Sequence, residues 1–482
     1  VMDGRGQTGP YFSRARNLHS GKILREGSPI QQLWTAGHHH RCYPAKATSR
    51  YILTGKRGVE FIDLRGDNHS RNNWIRGTCR TGVLPANGLL YAPPHSCGCH
   101  MEAKLYGFWA LAGRRGGGKN VSPDHRLEKG PAYGDMSGEL TDGTGQIDWP
   151  TYRHDPARSG STPAEVPARL TNAWECDTGG TLTAPVISGD RLIVGAVDSH
   201  RIICLDADTG RREWTVTVPG RIDSAPTIHR GMVLAGCADG YIYCFRLSDG
   251  ALMWRFLAAP NSRKTVAFGQ VESVWPLHGS ILVQDGVAYA AAGRSSYLDG
   301  GIRLYALDPG TGHVLRRTTV ETPHPDIRPP KTKPEKRAKK PLGEWFQQNM
   351  VDYKTLTASD RSDAFSMRGA TTDVLVGKEN SIYMRHMRLD STTLSRRKKR
   401  FPHLFSTSRL LDGTENHRTH WVFGTGDFSR TGVAYPWIAY RGTHKLAVPY
   451  GLLLSFDEKR VWGIRRVNMM RTRMQVSENY LL

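Results

Sequence analysis

The stretches CLDADTGRREW (residues 204–214) and CFRLSDGALMW (residues 244–254) decide the reading of this chain. Their cysteines and their tryptophans recur with the same separation of 40 residues. Extended outward, TAPVISGDRLIVGAVDSHRIICLDADTGRREWTV, from Thr183, aligns with SAPTIHRGMVLAGCADGYIYCFRLSDGALMWRF, from Ser224, across one single-residue gap. A self-similar unit of that length is a module that buries its apolar faces only by stacking on its neighbours.

Each copy divides into four short apolar segments bounded by Gly, Asp or Ser. They lie at the Ala-Pro pair, at RLIVGA or MVLAGC, at RIICLD or YIYCFR, and through the tryptophan. Four antiparallel strands in about 40 residues make one blade of a β-propeller. A third copy, GSILVQDGVAYAAAGRSSYLDGGIRLYALDPGTGHVLRR, begins at Gly279. It keeps Leu307, Asp308, Thr311 and Gly312 where the first has Leu205, Asp206, Thr209 and Gly210, but has Arg316 at the tryptophan position. Residues 261–277, which precede it, read as an inserted loop.

The repeated motif predicts shape rather than chemistry. Asp206 and Thr209 are placed to bond turn N–H groups, while Gly210, like Gly250 and Gly312, takes a positive φ that reverses the chain. Trp214 and Trp254 then lie flat against the neighbouring blade, each withdrawing roughly 150–250 Å² of aromatic surface from water. Cys204 and Cys244 fill equivalent core positions, and Cys237, on a neighbouring strand, reads as a structural thiol too.

In these residues the chain resembles the pyrroloquinoline-quinone-like, or quinoprotein-type, β-propeller repeat proteins, whose tryptophan-docking motif is A-x-D-x-x-T-G-x-x-x-W. Here Cys204 replaces the small residue, followed by Asp206, Thr209, Gly210 and Trp214. WPTYRHDPARSG (149–160), ANGLLYAPPHSCGCHMEAKLYGFWALA (86–112) and DVLVGKENSIYMRHMRLD (373–390) resemble stretches of large exported bacterial members related to the outer-membrane assembly propeller lipoprotein. The resemblance implies an all-β quinoprotein-like propeller of seven or eight four-stranded blades with long loop inserts, its ring left incomplete if strands are missing.

Composition sets the expected boundaries. Residues 1–112 form an N-terminal β segment contributing blades, and 113–147 a Gly-rich linker or surface loop. Regular repeats occupy 148–322, a basic Pro-rich insert 323–342, and further propeller strands 343–482, where GEWFQQNMVDY (343–353) is a helix candidate. The 52 glycines and 27 prolines suit short strands joined by tight turns.

Several function classes are excluded or left open by particular residues. No apolar run reaches the roughly 18 residues of a membrane-spanning helix. The net charge of +22 gathers partly in KTKPEKRAKK (331–340) and RRKKR (396–400), but neither run interleaves aromatics for base stacking, so there is no clear nucleic-acid signature. GRRGGGKN (113–120) lacks the hydroxyl after its lysine that a phosphate-binding loop needs, having Asn120 there. There is no G-x-S-x-G elbow and no H-E-x-x-H. His386, in a run read as a strand (Tyr383 to Arg388), reads as a packing residue rather than a base.

The N-terminal thiols are the one constellation that could bind a metal. Cys42, Cys79, Cys97, Cys99 and His100 are of the ligand types that zinc or copper chooses, although C-x-C is not a zinc knuckle and CGCH falls one residue short of a haem-attachment motif. Disulfides or buried thiols are the competing reading. Quinoprotein dehydrogenases hold their quinone beneath a disulfide of adjacent cysteines and beside Ca²⁺; this chain has no adjacent cysteine pair.

What the resemblance implies for function follows from the missing catalytic parts: a non-catalytic scaffold binding a protein or extracellular polymer, in the periplasm or cell envelope, with no export signal visible after Val1. A quinone- or metal-dependent oxidoreductase, using pyrroloquinoline quinone with Ca²⁺ or a zinc or copper ion, is the alternative. Binding of acidic polysaccharide through the basic inserts is the third reading.

Overall fold

The computed structural model describes residues 2–3, 14–26, 43–55, 58–66, 68–72, 74–78, 80–94, 104–105, 107–113, 119–135, 148–322, 369–406, 421–424, 450–451, 453–471 and 474–481. Residues 1–115 with 323–368 make one compact unit, and 116–322 with 369–482 the other. Among the described residues the only helical turn is a short 3₁₀ segment, Pro123–His125; the fold is all-β.

In the first unit, Lys46–Ala47, Tyr51–Thr54, Val59–Asp63 and Ser70–Asn72 form a four-stranded antiparallel meander over Ile52 and Ile62. Leu84–Ala86, Leu89–Ala92 and Trp109–Ala112 add a three-stranded sheet.

The second unit carries the repeats, as four antiparallel meanders of four strands. The first blade is Val186–Ser188, Arg191–Ala196, Arg201–Asp206 and Arg212–Thr217. The second is Thr227–His229, Met232–Gly236, Tyr241–Arg246 and Leu252–Leu257. The third is Leu282–Gln284, Val287–Ala292, Ile302–Leu307 and Val314–Val320, and the fourth Leu375–Lys378, Ser381–Met384, Met387–Asp390 and Arg396–Arg397. Smaller sheets follow, one starting at His403–Ser406 and one joining Leu453–Phe456 to Val461–Arg471 and Met474–Leu481.

The first strands of successive blades lie side by side, as the inner strands of a propeller do. Between blades the faces close on apolar cores: Leu234, Ile242 and Cys244 of the second pack with Ala288, Tyr305 and Leu307 of the third, and Leu282, Ile302 and Leu304 of the third with Ile382, Met384 and Leu389 of the fourth. Each blade buries both of its sheet faces, so its middle strands read as near-continuous apolar runs.

Three features depart from the sequence reading. Residues 261–277 are not a plain loop but carry a β-hairpin, Lys264–Ala267 paired with Gln270–Ser273. Within residues 113–147, Leu127–Lys129 is a strand that caps the second blade. The run Tyr383 to Arg388 is not one strand: Arg385 at φ +54 and His386 form a tight turn between two. That turn is fixed because the Arg385 guanidinium donates to Thr371 Oγ1 at 2.7 Å and to the Ser406 carbonyl at 3.2 Å. The helix candidate at 343–353 and the insert at 323–342 lie outside the described residues.

Candidate functional site

The repeat motif residues sit at the junctions between blades. Asp206 Oδ1 accepts from the Thr209 amide at 2.9 Å and from Thr209 Oγ1 at 2.6 Å, and Asp308 holds Thr311 in the same way at 2.8 Å. Those bonds hold the Asp206 carboxyl below its usual range. Gly210, Gly250 and Gly312 take φ of +69°, +73° and +72°. A Cβ at these glycines would strike the rings of Trp174, Trp214 and Trp254, respectively. The indole N–H of Trp174 donates to the Ala207 carbonyl at 2.9 Å, that of Trp214 to Leu247 at 2.8 Å, and that of Trp254 to Pro309 at 3.0 Å. Each tryptophan therefore lies on the glycine turn of the next blade. Trp174 belongs to the series although it lies in no strand.

Residues 149–160 cross the inner strands of the first, second and fourth blades. Trp149 exchanges backbone hydrogen bonds with Ile187 at 2.9 and 3.0 Å, Pro150 accepts from Ile228 at 2.7 Å, and Pro156 accepts from Gly377 at 2.7 Å. The buried Arg158 donates to the Leu375 carbonyl at 3.1 Å and to Thr151 Oγ1 at 2.6 Å. A cavity beside Arg158, Asp373, Arg385 and Trp421 measures about 10 Å³, room for a single water.

Where the inner strands of the second and third blades begin lies a buried ionic network. Arg221 reaches Asp223 at 3.0 Å and Glu272 at 2.9 Å; Asp223 also pairs with His278, and Glu272 with Arg294. Burial pushes the Asp223 carboxyl up, but the His278 and Arg221 partners outweigh it and hold it below the ordinary carboxylate value. Buried charges of this kind persist only when paired, and breaking one pair is costly.

Glu272 belongs to the inserted hairpin, and the network fixes that hairpin by its polar face. The register pairs Thr265 with Glu272, Ala267 with Gln270 and Val266 with Val271. Period-two alternation puts Glu272 and Gln270 on one face, where Glu272 meets the arginines and Gln270 Oε1 lies 2.6 Å from His200 Nε2. The other face presents the Val266–Val271 pair, 72% and 65% exposed. At the tip Phe268, 61% exposed, takes φ +54°, a conformation that aromatic residues rarely adopt. Arg221 stacks 4.6 Å above its ring and donates to the Ala267 carbonyl at 3.3 Å. The hairpin thus buries charge and shows apolar side chains to solvent, the reverse of an ordinary surface hairpin.

The metal candidates Cys42, Cys79, Cys97, Cys99 and His100 lie outside the described residues. Among the described residues no three His, Cys, Asp or Glu side chains converge on a metal position. Burial raises the Cys204 thiol to about 12, and Cys237 and Cys244 are raised as well. The basic run Arg396–Arg400 is exposed, with Arg397 held 2.7 Å from Asp390.

The family described as outer membrane protein assembly factor BamB matches residues 141–327. The repeat segment is of the quinoprotein-like β-propeller type. This propeller segment is similar to the dehydrogenase subunit of the quinone alcohol dehydrogenase of Gluconobacter oxydans, 32% identical over 114 residues, covering 20% of this chain and 15% of that protein. It is also similar to BamB of Nitrosomonas eutropha, 24% identical over 151 residues, covering 31% of this chain and 32% of that one. The propeller segment thus spans under a third of the length of these relatives. Among solved structures, the quinohemoprotein alcohol dehydrogenase of Comamonas testosteroni aligns with 55% of this chain and 42% of its own, at 16% identity and a TM-score of 0.36.

The described residues of the propeller do not fit the quinone and Ca²⁺ of the dehydrogenases. Residues 149–160 run across inner strands, and the cavity beside Arg158 is water-sized, without room for a tricyclic ring. Asp373, the buried carboxylate beside that cavity, lies 3.6 Å from Arg385, and the buried Asp223 and Glu272 are paired with Arg221, His278 and Arg294, so a divalent cation would have to displace paired cationic side chains.

Proposed function

We propose that the protein is a non-catalytic β-propeller scaffold in the cell envelope, outside the cytoplasm, and that it binds a protein partner through the Lys264–Ser273 hairpin. The observation that carries this reading is the inverted hairpin. Val266, Phe268 and Val271 are presented to solvent on an element whose polar face is anchored through Glu272 to Arg221 and Arg294. Exposed apolar side chains on an anchored element are the form of a protein-docking site, because little conformational freedom remains to be lost on binding. The similarity to a protein named as an outer membrane protein assembly factor supports both the partner class and the compartment.

A photo-crosslinking side chain at position 268, introduced into the protein in its native cells, tests this. The expected outcome is one discrete protein adduct, absent when the crosslinker replaces Leu170, an exposed leucine that is not part of the hairpin. The reading fails if position 268 gives no adduct beyond that at 170. It fails also if purified protein supplied with the quinone and Ca²⁺ oxidises an alcohol with an artificial acceptor.

A further inference from the structure

The second blade shows how an outer edge of this propeller is closed. Its outermost strand, Leu252–Leu257, is capped by Leu127–Lys129, which pairs with it antiparallel and sets Glu128 opposite Arg255. Glu128 Oε2 accepts from Arg255 Nε at 2.9 Å and from Nη2 at 2.5 Å. The cap is therefore a backbone ladder with one acid-to-arginine pair across it.

The third blade ends in a longer outer strand, Val314–Val320, and among the described residues no strand pairs beyond it. The register equates the two edges. Trp254 pairs with Cys244 and Arg316 with Ala306, so Arg317 stands at the position of Arg255; Tyr243 and Tyr305 are their respective cross-strand neighbours. Arg316 and Arg317 are exposed, and among the described residues neither has an ion-pair partner. Between the Leu127–Lys129 cap and this edge lies a cleft of about 530 Å³, lined by Phe256, Tyr305, Leu315 and Arg317 among others. The first blade also ends in a strand, Arg212–Thr217, with no further partner among the described residues, but it carries Thr215 at the equivalent position.

We propose that the edge Val314–Val320 is a strand-addition site for an extended acidic segment of another protein, which sets a carboxylate opposite Arg317 as Glu128 is set opposite Arg255. An open edge supplies the affinity through its free N–H and C=O groups, and the arginine supplies register and selectivity. A second copy of this chain is a poor occupant, because edge-to-edge pairing would bring Arg316 and Arg317 against their own kind on a chain of net charge +22. This surface is separate from the hairpin and stands without it.

The test uses the full chain and two labelled peptides of about eight residues, one alternating threonine with glutamate and the other threonine with lysine. Fluorescence anisotropy is expected to show binding of the acidic peptide alone, weakened about tenfold or more by Arg317→Glu and by raised salt. Amide exchange is expected to slow across residues 314–320 and to be unchanged across 212–217. Binding of both peptides alike, an unaffected Arg317→Glu variant, or protection at 264–273 instead of 314–320 overturns the proposal. So does protein self-association that protects 314–320 without peptide.

Discussion

The phenol of Tyr289 donates to the Ser391 carbonyl at 3.1 Å and replaces, at the junction of the third and fourth blades, the indole that lies on the turn of each of the first three blades. Tyr289 faces Ala306 across the sheet as Ile193 faces Cys204 and Leu234 faces Cys244, and Arg316 takes the tryptophan position on the far side of Ala306. Ser391 follows Asp390 as Ala207 follows Asp206, so the acceptor is the carbonyl that an indole would have used. The turn has changed to match: Leu394, at φ +56°, stands where the other blades have glycine, since no indole lies on it. Asp390 still holds Thr393, at 2.9 Å from both its amide and its hydroxyl.

Removing only the hydroxyl isolates this bond. Tyr289→Phe keeps the buried ring and leaves the Ser391 carbonyl without its donor, so a loss of about 1 kcal/mol is expected. Urea unfolding should show a lower midpoint with an unchanged slope. An unchanged midpoint would mean that the junction is held by apolar packing alone.

The glycine turns and tryptophans should behave as coupled pairs. A Cβ on Gly250 would lie 2.7 Å from Trp214, and φ there is +73°, so Gly250→Ala is expected to cost about 2–3 kcal/mol. Trp214→Ala is expected to cost about 3–5 kcal/mol through lost burial. With the indole gone the clash disappears, and the double variant should fall short of the sum by about 1 kcal/mol or more. Additive losses in a double-mutant cycle would show that the two residues do not touch in solution.

These junctions were legible in the sequence because the motif is local: Asp206, Thr209, Gly210 and Trp214 sit within one turn and the strand beside it. The substitution of Tyr289 for an indole was not, since residues 289 and 391 are joined only by the register of a sheet and the meeting of two blades. The candidate site was less legible still. Its alternation, with Val266 and Val271 out and Glu272 in, looks like any half-buried hairpin until the Arg221 and Arg294 positions show which face is buried. One local signal was present: the Phe268-Gly269 pair stands where a two-residue hairpin turn places Asn-Gly. The ion pairs of Glu272 span tens of residues in sequence, and no spacing rule reaches them.

Removing the anchor should release the hairpin. In Glu272→Gln, Arg221 and Arg294 are left buried without that carboxylate, a loss of about 3–5 kcal/mol if the network stays buried. The hairpin is the element free to yield, so faster amide exchange is expected at 264–273, with the blade strands 232–246 protected as before. Uniformly faster exchange across the second blade would show that the network holds the blade rather than its insert.

Thiol reactivity should separate the repeat cysteines from Cys176. Cys204, Cys237 and Cys244 are buried, and burial raises their thiols above the ordinary value, whereas Cys176 is only half-buried. The thiolate is the reactive form, so brief treatment with a maleimide at neutral pH is expected to label Cys176 and spare the other three. Peptide mapping by mass spectrometry reads the result directly, and native-state labelling of Cys244 would contradict the closed core between the second and third blades.

Mild acid should weaken the junction between the fourth blade and the sheet after it through a histidine kept neutral. His403 stacks on Tyr383 at 3.8 Å between ring centroids and lies 2.6 Å from the Arg385 carbonyl and 2.8 Å from that of Phe401. Burial lowers it to about 4; the two carbonyls oppose that shift, and Arg400 and Lys378 add to it. His386 is lowered as well, by burial and by Arg400, Arg385, Arg396 and His403. The unfolded chain takes up a proton on each as pH falls through the ordinary value of about 6.5, while the folded chain takes none at His403 until about 4. Stability is therefore full above the unfolded value and falls between the two. For His403 alone the loss at about pH 5 is about 2 kcal/mol. Urea midpoints measured from about pH 8 to about pH 5 should fall accordingly. His403→Gln, which loses the ring stack, should start lower at the alkaline end and decline less. A wild-type profile that stays flat across that window would mean that His403 accepts its proton in the folded state.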